Sequence, residues 1–172
     1  MTKSYIVDPA TGKLLTVQEW KDKAGNKVED AKMIAIVPDD GSHAFAMPVE
    51  VFPRMDWNKA MDFSKEYKAP HFVEGSDGAF ALPSRKQAID IRAARENGLE
   101  QLLELIGAGK LLRELQDRWG WTRERYVPAG LSEEENVRFD SGTAWSYSDY
   151  GVSDDDGFGY ECAVRPVTLL NL

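Results

Sequence analysis

The spacing of apolar and polar positions changes twice along the chain, and the changes separate three stretches. The first is strand-like. Ser4 to Val7 reads as a short strand, followed by turn chemistry at Asp8-Pro9-Ala10-Thr11-Gly12, where proline presets one dihedral and glycine supplies a positive φ. Lys13 to Val17 reads as the return strand. Lys21 to Asp30 is polar, carries Ala24-Gly25-Asn26, and reads as a loop. Met33-Ile34-Ala35-Ile36-Val37 is a continuous apolar run, the pattern of a buried strand. Pro38-Asp39-Asp40-Gly41 turns the chain, and Ala44 to Val49 pairs back as a hairpin.

The second stretch is helical. Asp56 is an N-cap residue, and Trp57, Ala60, Met61 and Ser64 follow with helical spacing, which predicts a helix from Trp57 to Tyr67. Ala69 to Ala79 reads as a loop. Ser84-Arg85-Lys86-Gln87 has the form of a capping box and opens a second helix running to about Asn97, where Asn97-Gly98 is a left-handed stop signal. Leu99, Leu102, Leu103 and Ile106 then define one apolar helical face. Gly107-Ala108-Gly109 interrupts it, and Leu111, Leu112, Leu115 and Trp119 resume it.

After Gly120 the pattern returns to strands. Trp121 to Tyr126 is one, and Pro128 to Asn136 reads as a loop or a single acidic turn. Val137 to Phe139 and Thr143 to Ser148 predict a hairpin about Asp140-Ser141-Gly142. Tyr150 to Gly159 reads as an acidic, glycine-rich loop, and Tyr160 to Leu170 as a last strand. No repeat or linker divides the chain. The expectation is a single α+β domain over residues 1–172, with helices segregated from an antiparallel sheet and an N-terminal hairpin.

Bulk properties narrow the function classes. With 172 residues, 42% of them hydrophobic, the chain can bury a core without disulfides, and its one cysteine, Cys162, allows none within the chain. Cys162 reads as a small buried residue of a strand. The net charge of -8 argues against a broad basic face for nucleic acid. Lys110, Arg113, Arg118, Arg123 and Arg125 read as a solvated helix face and its following loop. No apolar run reaches the ~20 residues of a membrane span, and Met1 to Pro9 lacks the apolar core of a signal peptide. The corresponding expectation is a cytoplasmic or virion-associated protein.

Catalytic patterns are missing. There is no phosphate-binding glycine loop, no Gly-x-Ser-x-Gly and no His-Glu-x-x-His. The two histidines, His43 and His71, lie far apart in sequence and have no cysteine partner for zinc. The expectation is a non-enzyme without a cofactor. Asp154-Asp155-Asp156, with Gly151, Gly157 and Gly159 nearby, is the candidate calcium loop, because calcium needs several oxygens brought to one point by a chain that can wrap. The competing reading is a solvated loop.

Three blocks occur in a distinctive order: Asp56-Trp57-Asn58-Lys59-Ala60 before Ala81-Leu82-Pro83-Ser84-Arg85; Leu99 to Leu112 with Ile106-Gly107-Ala108-Gly109; then Trp121-Thr122, Ala144-Trp145-Ser146-Tyr147 and Val164-Arg165-Pro166-Val167. This order resembles the DUF1566-type bacterial and phage C-type-lectin-like proteins. Their fold is shared with formylglycine-generating enzymes and with retroelement-diversified tropism proteins. The resemblance covers about residues 31–170 and fits residues 1–30 more loosely. It implies a C-type-lectin-like domain. Cys162 stands alone, so the copper and oxygen chemistry of the formylglycine-generating enzymes is not implied. The calcium-lectin motifs Glu-Pro-Asn, Gln-Pro-Asp and Trp-Asn-Asp are missing as well.

The resembled tropism proteins bind through strands and loops of their last third. The matching positions here are Trp145, Tyr147, Tyr150, Asp154, Asp155, Phe158 and Tyr160, a mixture suited to recognition because Tyr and Trp offer rigid area with a polar tip. The functional expectation is a recognition module for a protein or cell-surface ligand. An oligomeric structural or assembly protein of a phage or mobile element, forming a homo-oligomer, is the alternative. Leu82, Trp121, Trp145 and Arg165 read first as frame. Arg165, a charge in an apolar strand, needs a carboxylate or carbonyl partner, and Pro166 suits an edge or a bulge.

Overall fold

In the computed structural model the described residues are 1–25, 27–41, 43–69, 74–76, 78–117, 119–125, 143–148, 151–157 and 161–171, with segments 143–148 and 151–157 described by their backbone. They form an α+β structure with two antiparallel sheets in place of the single one expected. The larger sheet has the order β2-β1-β3-β4-β8, from β1 (Lys3–Val7), β2 (Leu14–Leu15), β3 (Met33–Val37), β4 (Phe45–Pro48) and β8 (Thr168–Leu169). The smaller one has the order β5-β6-β7, from β5 (Gly120–Arg125), β6 (Thr143–Ser148) and β7 (Gly151–Gly157).

The uninterrupted apolar run at β3 follows from its central place. Ile34 and Ile36 face a core shared with Ile6, Phe45 and Met47 and with the helices α3 (Arg85–Ala94), α4 (Glu100–Leu105) and α5 (Gly109–Asp117). Met33 and Ala35 face the opposite side, with Val7, Ala46, Phe80 and Leu170. Alternate residues of a strand point to opposite faces, so a strand covered on both sides has no polar position to spare. The leucines at 99, 102, 103, 111, 112 and 115 are all buried in the helical side of this core.

Residues 13–30, whose pattern predicts a strand and a loop, fold differently: only Leu14–Leu15 pair as β2, and Val17–Ala24 form helix α1. The helix is set by a capping box. The Thr16 hydroxyl accepts from the Glu19 N–H at 3.2 Å, and the Glu19 carboxylate accepts from the Thr16 N–H at 2.7 Å. Its apolar content is low, with Trp20 as its buried residue. The Trp20 indole donates to the Val28 carbonyl at 3.0 Å, which fastens the 3₁₀ turn Val28–Asp30 to the helix.

A second anchor joins α1 to the first turn. The Asp8 side chain is buried and accepts from the Ala10 N–H and the Thr11 hydroxyl, each at 2.9 Å, and from Lys23 of α1. Burial alone would push its pKa up, but the bond from Lys23, the two local bonds and the lysine's charge outweigh it and hold the carboxyl below its ordinary value of 3.8. A depressed folded pKa gives stability that is complete above the unfolded value and is lost as pH falls through the folded one. Asp8→Asn is therefore expected to lose about 1–3 kcal/mol at neutral pH. It should also unfold with a shallower pH dependence below pH ~4 than the parent, as urea titrations at successive pH values would read. Parallel acid profiles for the two proteins would refute the role of the carboxylate.

Helix α2 (Trp57–Glu66) starts where expected, with the Asp56 carboxylate accepting from the Lys59 N–H at 2.9 Å. Helix α3 also starts as expected, on the Ser84–Gln87 capping box. Its end also falls where expected. Leu99, Leu102 and Leu103, just beyond it, are buried in the core shared with Ile6, Ile34 and Ile36. Asn97 and Gly98 leave helical geometry, at φ -120° and φ 104°, and the chain kinks there before α4. A side chain other than glycine is strained at the φ of Gly98. Gly98→Ala is expected to cost roughly 1–2 kcal/mol, visible as a lower urea midpoint with an unchanged slope.

The C-terminal segment departs from the expected long strand. It meets its neighbours through single bridges: Cys162 with Met55, Ala163 with Gly120, and Val167 with Ala81, before the short β8. It thereby stitches the approach to α2, the approach to α3 and strand β5 together. No helix among the described residues is long and apolar enough to cross a membrane.

Candidate functional site

The motif residues of the three blocks converge. Leu82, Trp121, Cys162 and Val164 are buried together with Trp57 and Ala60, and Met55, Met61, Phe63 and Trp119 pack at the margin. Indole N–H groups tie the cluster to backbone: Trp121 donates to the Met55 carbonyl and Trp57 to the Thr122 carbonyl, both at 2.9 Å. The Arg123 N–H donates to the Pro83 carbonyl at 2.9 Å, fixing β5 beside the start of α3. Arg165 is buried and donates from Nη2 to the Glu114 carbonyl at 2.7 Å, so a backbone carbonyl near the end of α5 meets the need for a partner. These residues frame the small sheet.

Four of the seven predicted contact residues fall on that sheet. Trp145 and Tyr147 belong to β6, and Asp154, Asp155 and Asp156 to β7. Tyr150, Phe158 and Tyr160 lie outside the described residues. The run Gly151–Gly157, whose composition predicts part of a loop, is a strand, because its serine and aspartates are held by pairing along β6 rather than by local turn chemistry.

The register brings the candidates together. Ser146 pairs with Ser153, Tyr147 with Val152, and Ala144 with Asp156. Trp145 alone therefore stands against two residues, Asp154 and Asp155, which form a bulge on β7. A bulge bends its strand and re-aims the residues it carries. The row of Ala144 and Asp156 also contains Arg125 of β5, so one aspartate shares its row with a base. The three aspartates of the candidate calcium site thus lie in a strand where a loop was expected.

The other sequence candidates stay apart. His43 is exposed in the β3–β4 connection with φ 57°, and His71 lies outside the described residues. Among the basic residues, Lys110 and Arg113 are exposed on α5, whereas Arg123 reaches the Leu82 carbonyl at 3.4 Å and Gln87 Oε1 at 3.5 Å. Arg118 is not among the described residues.

One feature has only a slight signal in the sequence, the short run Val49 to Phe52 between two prolines. Past β4 the chain runs on outside any strand. Val49 donates to the Lys32 carbonyl at 3.0 Å and Met55 to the Cys162 carbonyl at 3.2 Å, and the strip between them joins no sheet among the described residues. This strip forms one wall of a groove whose other wall is the start of α5. The groove has a volume of about 460 Å³ and is lined by Lys32, Val51, Ile106, Lys110 and Leu111, among others. A narrow cleft of about 10 Å³ continues it toward Phe52, Glu114 and Arg165. Beside it Phe52 and Phe63 pack at 5.0 Å between ring centroids, and Tyr67 packs edge-on to Phe80 at 4.9 Å. Burial, with the nearby charge of Glu50, raises the Tyr67 pKa, so this phenol stays protonated at neutral pH.

In comparisons with known proteins, no family model and no curated sequence matches this chain.

Proposed function

We propose that this chain is a non-enzymatic recognition module with a C-type-lectin-like fold, contacting a protein or cell-surface ligand through strands β6 and β7. The observation that carries the proposal is the bulged register, which sets Trp145 against Asp154 and Asp155 with Tyr147 two residues further along β6. Aromatic residues beside carboxylates combine rigid contact area with hydrogen-bond acceptors, the composition of an adaptable binding face. The order of the three sequence motifs supports the choice of fold. The framing residues Leu82, Trp121 and Arg165 are buried and serve the sheet rather than a ligand.

The test is binding to a panel of immobilised surface glycans and cell-surface protein ectodomains. Trp145→Ala and Tyr147→Ala are each expected to weaken binding about tenfold or more, as central aromatic contacts do, while circular dichroism and the melting midpoint stay unchanged. Binding that is indifferent to both substitutions, or no binding across the panel, overturns the proposal.

A further inference from the structure

We draw no further inference here: the strongest candidate, the groove between the unladdered strip after β4 and the start of α5, carries nothing because nothing in the structure shows what covers it.

Discussion

Replacing Trp121 with alanine is expected to destabilise the protein more than the loss of any other side chain in its cluster. The Trp121 side chain is 0% exposed and lies among Trp57, Ala60, Leu82, Cys162 and Val164. Removing so large a buried side chain costs about 3–5 kcal/mol, from lost transfer energy and from the cavity left behind. For a chain of this length that is a fall of roughly 10 °C or more in the melting midpoint. Trp121→Phe separates packing from hydrogen bonding. It keeps most of the apolar volume and removes the indole N–H that donates to Met55. The Met55 carbonyl keeps a second donor, the Cys162 N–H at 3.1 Å, so it is not left bare. The phenylalanine variant should therefore lose less than half as much as the alanine variant. Equal losses in urea unfolding would mean that the hydrogen bond, not the packing, holds this junction.

Arg165→Met is expected to lose about 1.5–3 kcal/mol, the range for a hydrogen bond made by a charged group. Glu114 lies in the last turn of α5, at the negative end of the helix dipole. The Arg165 guanidinium supplies a donor there, and its charge also suits the negative end of the helix dipole. Methionine fills much of the same space but offers no donor. Arg165→Lys retains the charge without the planar fork and should fall between the parent and the methionine variant. Hydrogen exchange gives a local check, since amides in the last turn of α5 should exchange faster in Arg165→Met than those of β3. A uniform change across the protein, or a loss below about 0.5 kcal/mol, would rule out the capping role.

Much of the larger sheet is legible in the sequence because its signals are local and agree with one another. The run Met33–Val37 can be placed to the residue, since a strand buried on both faces needs every position apolar. The starts of α2 and α3 are legible because their caps are made by side chains three residues from the bonds they form. Helix α1 carries the same kind of signal in Thr16 and Glu19, but its polar surface conceals it from a search for apolar periodicity. The Asn97-Gly98 signal is legible for the same reason: the local chemistry of these two residues takes them out of helical geometry, and the chain kinks there between α3 and α4.

The candidate site is less legible. The sequence shows which aromatic and acidic residues crowd the last third of the chain, and it reads Leu82, Trp121, Trp145 and Arg165 first as frame. It cannot show that Gly151–Gly157 is a strand, because glycine and aspartate have low strand propensity and pairing along β6 supplies what the residues lack. Nor can it show the one-residue offset that sets Trp145 against Asp154 and Asp155, since strand register depends on both partners. The sequence by itself determined the caps, the turns and the buried strand at β3, all of which depend on residues a few positions apart. Only the tertiary structure decided the division into two sheets, the stitching by Cys162 to Val167 and the bulge between β6 and β7, because those bonds depend on how separate segments pair rather than on any one segment's own residues.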